Sequence, residues 1–420
     1  MAKLEITGGR QLKGEITVSG NKNSTFGLVA ASLLTDSPTT LTNVPNIRDV
    51  EVTAQIIEDL GGKVSYGKDG TLSIDPRGLS SWKLNPELTG RIRGSVVLVA
   101  PILARFGKVE FTRPGGDSIG ERLLDAHFSV LASFGAKLDG DSSGYKVSVA
   151  KLSPANIFLE KVSVTATEIA LILAAAIPGK SIIENAAAEP HIVDLASMLT
   201  SMGAKISGAS TNTIEIYGSK KLVGVEHRVR PDHIEVGTFA IAAAITGGDI
   251  LIHDAKKDDL KMILAYLGKM GVAYRFVDSD TLQIKPSKLV AKQKEFQTRP
   301  WPGFPTDLMS QFIVLATQTQ GRVLCHDWMY ETRMFFVDYL KGMGADIVIA
   351  DPHRVFVSGP SSLHGEIIPS PDIRAGGALV LAALAANGTS VVEHAEVIER
   401  GYESFDKKLA SLGADIKRVD

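Results

Sequence analysis

The pattern of hydrophobic and polar residues repeats six times along the chain. Each copy has a helical stretch that ends in Leu, Phe or Met, then a glycine, and then an alternating segment typical of a strand. The glycines lie 68 to 74 residues apart: Gly61, Gly135, Gly203, Gly271, Gly344 and Gly413. Glycine is typical of a helix C-terminus that requires a positive φ. The pattern predicts helix, glycine turn and strand in each copy, with strands such as 205–217 and 346–357.

Each copy also contains an upstream strand and a second helix. The strands have the form Gly-x-apolar-x-apolar at 107–111, 179–183, 248–252, 321–325 and 388–392. The second helices are apolar on nearly every side, so they must be covered all round. They are predicted at 24–34, 94–104, 167–177, 237–245, 308–317 and 376–386.

Six such copies predict the fold class and the domains. Each copy supplies one buried and one exposed helix, which indicates an α/β protein with buried helices inside and mixed sheets outside. We expect two domains of three copies each, with a boundary near 225–231. The first domain is predicted at 20–229, and the second at 1–19 plus 230–420.

Composition narrows the class of protein further. The chain has 420 residues, 44% hydrophobic and 22% charged, with a formal net charge of −2. These values are typical of a globular protein without a general basic surface, so no nucleic-acid partner is expected. No apolar run approaches the ~20 residues that span a bilayer, and no signal-peptide pattern opens the chain. We expect a soluble cytoplasmic protein, with Cys325 in its core.

Polar clusters stand immediately before the six apolar helices. Asp, Asn, Ser or Thr at this position can be an N-cap, and capping competes with a functional role at Asp232 and Asp307. Lys22, Arg93 and Arg374 differ, because a cation at a helix N-terminus opposes the helix dipole. Their presence indicates a bound anion.

A second cationic set lies in the loops between strand and exposed helix. Arg122, Arg333 and Arg400 occupy similar points of their copies. Any one of them is more often a solvated ion pair, but the coincidence across copies favours an anion site. With Lys22 and Arg374 they could surround a small, highly charged anion in a cleft between the domains.

Two carboxylic side chains could act on that anion. Asp117 and Asp307 are candidates for proton donor and acceptor. Asp117 belongs to a glycine-rich segment, and residues 115–120 of that segment are a candidate lid. As a nucleotide motif this segment is weak, and no zinc-ligand spacing is present, so no metal is expected.

Six stretches spread over the chain form a specific combination: Ser19-Gly20-Asn21-Lys22-Asn23, Ala104-Arg105-Phe106-Gly107, Ile183-Glu184-Asn185-Ala186-Ala187, Phe304-Pro305-Thr306-Asp307, Asp372-Ile373-Arg374-Ala375 and Arg400-Gly401-Tyr402-Glu403. In this combination the chain resembles the UDP-N-acetylglucosamine enolpyruvyl transferases over essentially its whole length. The resemblance implies an inside-out α/β fold of two domains with three repeats each. It also implies transfer of the enolpyruvyl group of phosphoenolpyruvate to the 3′-hydroxyl of UDP-N-acetylglucosamine, with release of phosphate, as the first committed step of peptidoglycan synthesis.

The resemblance assigns site residues one by one. Contacts with phosphoenolpyruvate are implied for Lys22, Asn23, Arg122, Arg333, Arg374 and Arg400. Contacts with UDP-N-acetylglucosamine are implied for Asn23, Arg93, Arg122, Asp125, Lys161, Ser163, Val164, Thr165, Asp307 and Met329. Catalysis is implied for Lys22, Asp117, Asp307 and Arg400, with Asp307 as the general base. No cofactor is implied, the partners are the two substrates, and we expect a monomer or weak oligomer.

The main departure from the family is Asp117, which stands where most members have a cysteine. A carboxyl can also protonate the developing methyl group, but it cannot form the thioether that the epoxide fosfomycin makes with the thiol. We therefore expect fosfomycin resistance. Asn21 and Ser24 replace the usual alanines and are expected to alter the rate more than the function.

Two alternatives remain open from the sequence. The 3-phosphoshikimate 1-carboxyvinyltransferases share the architecture, but their acceptor loop is replaced here by residues 91–95. A catalytically silent paralogue that binds nucleotide sugar is the other alternative. The intact Asp307 and the complete arginine set disfavour it.

Overall fold

The computed structural model describes residues 2–117, 119–141 and 144–419. They form two compact units. The first unit consists of residues 20–116 and 122–230, and the second of 1–19, 117–121 and 231–420. The sequence-based boundaries differ from these units at residues 117–121, which they assign to the first domain. These residues group with the second unit because Asp117 pairs with Arg400 and the Ile119 carbonyl accepts from Thr332 N–H. Ser118, within the candidate lid, lies outside the described residues.

The strands are short and fall in every copy of the repeat. They are β1 (Lys3–Thr7), β2 (Lys13–Thr17), β3 (Thr39–Thr42), β4 (Lys63–Tyr66), β5 (Leu72–Asp75), β6 (Lys108–Phe111), β7 (Lys137–Asp141), β8 (Gly144–Ser148), β9 (Asn156–Phe158), β10 (Gly179–Glu184), β11 (Lys205–Ser207), β12 (Thr213–Gly218), β13 (Glu226–Arg228), β14 (Asp249–His253), β15 (Ala273–Phe276), β16 (Leu282–Lys285), β17 (Glu295–Gln297), β18 (Gly321–His326), β19 (Asp346–Asp351), β20 (Arg354–Gly359), β21 (Ile367–Pro369), β22 (Thr389–Glu393) and β23 (Asp415–Val419).

The helices alternate with these strands. They are α1 (Lys22–Ser32), α2 (Arg48–Asp59), α3 (Pro86–Thr89), α4 (Val99–Phe106), α5 (Asp125–Ser133), α6 (Val164–Ala176), α7 (Pro190–Met202), α8 (His233–Ile245), α9 (Lys261–Lys269), α10 (Met309–Thr317), α11 (Val337–Gly342), α12 (Ile373–Ala385), α13 (Ala395–Ile398) and α14 (Phe405–Ser411). Short 3₁₀ turns span Pro76–Gly78, Arg93–Leu98, Lys257–Leu260 and Thr306–Leu308.

Each unit contains three small mixed sheets. In the first unit the strand orders are β13-β3-β5-β4, β11-β12-β10-β9 and β6-β8-β7. In the second they are β21-β22-β1-β23, β15-β16-β14-β2 and β17-β18-β20-β19. The four-stranded sheets each combine one parallel pair, such as β2 with β14, with antiparallel pairs. In the three-stranded sheet an isolated parallel bridge from Lys83 to Glu110 takes the place of that pair.

The apolar helices form the core of each unit. In the second unit α8, α10 and α12 pack on one another, and in the first unit α1, α4 and α6 do so. Nearly every residue of α6 and α12 is buried, as their all-round apolar surface requires. The helices that precede the glycine turns were predicted to be exposed, but not all of them are. Helix α7 precedes the turn at Gly203, yet most of its residues are buried.

The glycine turns are present in all six copies. Gly61, Gly135, Gly203, Gly271, Gly344 and Gly413 have φ values from 89° to 121°. The predicted continuous strands at 205–217 and 346–357 are wrong, because each is a hairpin: β11 with β12, and β19 with β20. In the first hairpin Gly208, with φ 81°, reverses the chain after three strand residues. None of the helices in the described ranges combines the length and hydropathy that a membrane crossing requires.

Glu168 is an unexpected carboxyl in the core of the first unit. Glu168 lies on α6 and is 2% exposed. It packs closely against Gly27 of α1, where an added Cβ would lie 3.2 Å from the Glu168 Oε1. Burial, and next the charge of Glu189, raise the pKa of Glu168 well above its ordinary value. The folded protein therefore keeps a proton on Glu168 at pH values at which the unfolded chain loses it.

We expect Glu168→Gln to stabilise the protein at neutral pH. A carboxyl with a raised folded-state pKa contributes stability below its unfolded pKa and loses it as the pH rises toward the folded pKa. The wild-type free energy of unfolding should therefore fall by ~1.4 kcal/mol per pH unit relative to the variant across that interval. Urea unfolding between pH 4 and pH 8 measures this, with Glu58→Gln on the exposed face of α2 as control. A pH-independent difference between wild type and Glu168→Gln contradicts the expectation.

Candidate active site

Asp307 is held between two buried guanidinium groups of the second unit. Arg374 donates from Nε and Nη2 to Asp307 Oδ2, at 3.1 and 2.9 Å. Arg333 donates from Nη2 to Oδ1 at 3.3 Å. The two arginine side chains are 3% and 5% exposed, whereas that of Asp307 is 27% exposed. The Asp307 carboxylate is therefore partly accessible to solvent, although the two guanidinium groups that hold it are buried.

Local structure fixes the orientation of both arginines. Arg374 is the second residue of α12, where the Asp372 carboxylate caps the helix by accepting from the N–H groups of Arg374 and Ala375. The Arg374 guanidinium also lies over the Tyr402 ring, 5.3 Å from its centroid. Arg333 lies over the Tyr330 ring in the same way, at 5.1 Å. These cation–π contacts help to hold the two guanidinium groups in place.

Several of those donors have no protein partner. The buried Nε and Nη1 of Arg333 and the Nη1 of Arg374 make no hydrogen bond to any described residue. Burial alone would lower the pKa of both guanidinium groups, but neighbouring anionic and polar groups, of which Asp307 contributes most, together more than compensate, so each pKa lies above its ordinary value. Two permanent charges with unsatisfied N–H groups are suited to binding a carboxylate or phosphate.

Asp117 and Arg400 form a second ion pair in the same unit. Arg400 Nη1 donates to Asp117 Oδ1 at 2.8 Å, and the side chains are 22% and 16% exposed. The Asp372 carboxyl interacts electrostatically both with Asp117 of this pair and with Arg333, which holds Asp307. Burial raises its pKa, Arg333 opposes this shift, and Asp117 adds to it. Asp117 and Arg333 therefore both lie within electrostatic range of Asp372.

The first unit holds the remaining predicted cations. Lys22, in the first turn of α1, lies 3.5 Å from the buried Asp49 carboxylate. Asn23 follows it on the helix, which Asn21 caps by accepting from Ser24 N–H at 2.8 Å. The unusual residue Asn21 thus caps the helix that presents Lys22, whereas Ser24 contributes to this cap only its backbone N–H. Sequence reasoning missed Asp49, since a lone aspartate at a helix start carries no specific signal.

Arg93 and Arg122 are joined through the backbone. Arg93 Nη2 donates to the Arg122 carbonyl at 2.7 Å and so fixes the course of the loop that carries Arg122. Asp125 opens α5 three residues later and is exposed. The sequence predicts all three as ligand contacts, and the structure brings Arg93 and Arg122 together.

The start of α6 presents the other predicted contacts. Ser163 caps the helix, accepting from Ala166 N–H, and Val164 is its first residue. Thr165 Oγ1 is hydrogen-bonded at 2.7 Å to Nε2 of His127 in α5. Burial, and next the Arg93 guanidinium, lower the pKa of His127 to about 4. Lys161 is exposed just before the helix.

The capping interpretation separates Asp232 from Asp307. Asp232 caps α8 by accepting from Ile234 N–H at 2.8 Å. The N-termini of the 3₁₀ turn Thr306–Leu308 and of α10 have no side-chain cap from the described residues, and the Asp307 side chain pairs with the two arginines instead. Capping therefore explains the first aspartate, whereas the second is used for its charge.

Other candidate chemistry is limited. Burial raises the pKa of the Cys325 thiol to about 12, so this cysteine belongs to the core. Across residues 2–117, 119–141 and 144–419, no cluster of three His, Cys, Asp or Glu side chains could hold a metal ion.

Known proteins resemble this chain along its length. Residues 6–409 match the family described as EPSP synthase (3-phosphoshikimate 1-carboxyvinyltransferase). The chain is 45% identical to the UDP-N-acetylglucosamine 1-carboxyvinyltransferase of Bradyrhizobium diazoefficiens, with 99% of this chain and 97% of the relative covered. Identity to the protein of that name from Treponema denticola is 42%, with 99% of both chains covered.

A solved structure agrees with these sequence matches. The enolpyruvyl transferase NikO from Streptomyces tendae superposes with a TM-score of 0.88 at 26% identity, covering 100% of this chain and 99% of NikO. This match confirms the predicted fold class.

Proposed function

Since this chain belongs to the family of UDP-N-acetylglucosamine 1-carboxyvinyltransferases, we propose that its candidate site carries out their reaction. The enzyme transfers the enolpyruvyl group of phosphoenolpyruvate to the 3′-hydroxyl of UDP-N-acetylglucosamine and releases phosphate, a step of peptidoglycan synthesis. The reaction is an addition followed by an elimination through a tetrahedral intermediate. Its substrates are two anionic small molecules.

The observation that supports this role is the arrangement of Asp307 with Arg333 and Arg374. Phosphoenolpyruvate carries a carboxylate and a phosphate, and both match the unpartnered guanidinium N–H groups beside Asp307. The same carboxylate is accessible enough to accept the proton of the acceptor hydroxyl. One site thus offers anion binding and a base within hydrogen-bonding distance of each other.

We assign the two proton transfers to the two aspartates. Asp307 takes the proton of the 3′-hydroxyl as its oxygen bonds to C2 of phosphoenolpyruvate, and Asp117 gives a proton to C3, which becomes a methyl group. Elimination then returns a proton from that methyl group to the Asp117 carboxylate, while the C2–O bond to phosphate breaks and the leaving phosphate takes up the proton held by Asp307. The acid role requires a neutral Asp117 carboxyl, whereas the ion pair with Arg400 uses the carboxylate. Arg400 must therefore turn from Asp117 to the substrate anion before the addition.

The remaining predicted residues complete the assignment. We propose Lys22, Asn23 and Arg122 of the first unit as further contacts of phosphoenolpyruvate. The nucleotide sugar is assigned to a larger set, consisting of Asn23, Arg93, Arg122, Asp125, Lys161, Ser163, Val164, Thr165, Asp307 and Met329. Cytoplasmic location and a monomeric or weakly associated state are part of the same proposal.

Release of inorganic phosphate tests the proposed function directly. Phosphoenolpyruvate is incubated with the protein and either UDP-N-acetylglucosamine or shikimate 3-phosphate as acceptor. We expect release with the nucleotide sugar alone. Release with shikimate 3-phosphate instead would favour the other carboxyvinyltransferase, and nucleotide-sugar binding without release would favour the silent paralogue.

A further inference from the structure

Asp327 is a fully buried carboxylate outside the residues assigned so far. It follows β18 directly and is 0% exposed. One of its carboxylate oxygens accepts from the hydroxyl of Thr306, and the other accepts from the backbone N–H of Met329 at 3.0 Å. A buried carboxylate is costly unless such donors compensate it. Its two donors belong to two different parts of the proposed site.

The two donors are neighbours of residues with assigned roles. Thr306 immediately precedes Asp307 and opens the 3₁₀ turn Thr306–Leu308 that carries it. Met329 is assigned to the nucleotide sugar. A single carboxylate therefore joins the turn of the general base to the backbone that contacts the acceptor substrate.

The backbone of Asp327 is itself fixed on both sides. Its N–H donates to the His353 carbonyl at 2.8 Å. Its carbonyl oxygen lies 2.7 Å from His353 Nδ1, which must be the donor because a carbonyl only accepts. His353 lies in the turn between β19 and β20, so Asp327 is tied to the turn of that hairpin. This arrangement leaves the carboxylate little freedom to move.

We infer that Asp327 is a positioning residue, which holds the Asp307 turn and the Met329 backbone in one fixed geometry for proton transfer from the acceptor hydroxyl. The inference rests on the proposed function. Asp327 acts through Thr306 and Met329 and touches no reacting atom, although its charge is also among those that raise the pKa of Arg333. Misplacement of a catalytic group by about 1 Å can lower a rate about 100-fold, so a hydrogen bond that fixes this turn affects turnover more than substrate affinity.

Thr306→Val tests the inference with little change in side-chain shape. We expect kcat for phosphate release to fall roughly 10- to 100-fold, while the KM for phosphoenolpyruvate stays within about twofold. Thr306→Ser keeps the hydroxyl and should retain most of the wild-type rate. Thr319→Val is the matched control, because Thr319 is a buried threonine whose hydroxyl donates to the Leu315 carbonyl within the same unit.

A double-mutant cycle separates positioning from independent damage. Asp327→Asn keeps the side-chain volume but removes the charge and offers one accepting oxygen instead of two. Since both variants break the same link, Thr306→Val with Asp327→Asn should lose about as much kcat as the more affected single variant. The inference is overturned if the kcat losses of the two single variants multiply in the double variant. It is also overturned if Thr306→Val keeps a rate within about twofold of wild type.

A failure of the proposed function would give a different result from a failure of the inference about Asp327. A wild-type protein that releases no phosphate with UDP-N-acetylglucosamine overturns the function, and the positioning role with it. In that case Thr319→Val is equally inactive. Normal turnover in wild type and Thr319→Val, together with normal turnover in Thr306→Val, overturns only the role of Asp327.

Discussion

Asp307→Asn is expected to lower the rate of phosphate release about 100- to 10,000-fold, the usual contribution of a general base. The substitution keeps the shape and one accepting oxygen of the side chain but removes the group that takes the hydroxyl proton. Initial rates with saturating phosphoenolpyruvate and UDP-N-acetylglucosamine measure the effect. A variant that retains more than about a tenth of the wild-type rate contradicts the assignment of Asp307 as base.

The same substitution should weaken the folded state. Arg333 and Arg374 lose the carboxylate that compensates their buried charges, and breaking a buried ion pair costs about 3–5 kcal/mol. Rates must therefore be normalised to folded protein, which denaturant unfolding quantifies. Asp415→Asn is a suitable control, because Asp415 pairs with Arg10 on the surface of the same unit and should leave the rate unchanged.

Asp117→Cys is expected to convert a protein that fosfomycin does not label into one that it inactivates completely. The thiolate opens the epoxide and forms a thioether, while the epoxide carbon–oxygen bond breaks and the oxygen takes up a proton. The carboxyl of the wild type cannot form this product. Intact-protein mass spectrometry after incubation with fosfomycin measures the difference, and residual phosphate release measures its effect on turnover.

Cys325 supplies an internal control for the labelling. It is the only cysteine of the wild-type chain, and burial raises its pKa to about 12, so it should remain unmodified in both proteins. Asp117→Asn should leave the protein unlabelled and lower the rate about 100- to 10,000-fold, because an amide donates no proton to the substrate. Covalent modification of the wild type at residue 117 would contradict the expectation of resistance.

The repeating parts of the fold could be predicted because each depends on local chemistry. The six glycines follow from the positive φ at a helix C-terminus, and the apolar helices follow from the absence of a polar face. The hairpins after the glycine turns could not be separated from single strands, since the alternating pattern continues through the turn. Gly208 was the available signal for the first of these turns.

The sequence indicated which residues to consider for the site, but not how they lie relative to one another. Charged residues at helix starts indicated an anion site, and the family resemblance supplied roles for them. Which charges pair depends on contacts between distant segments, such as Asp307 with Arg374 or Asp117 with Arg400. Asp327 and Glu168 had no sequence signal, because a buried carboxylate is recognisable only when its surroundings are known.

The sheet that contains β1 determines when the second unit can form during synthesis. Strand β1 pairs antiparallel with β22 and with β23, so Lys3 lies opposite both Glu393 and Val419. The first part of the chain must therefore wait until nearly all of the rest has left the ribosome. The core of the first unit, by contrast, needs nothing beyond residue 230. Because contacts between such distant residues form slowly, the second unit should complete its folding last, and exposed β1 is the strand that chaperones would need to protect.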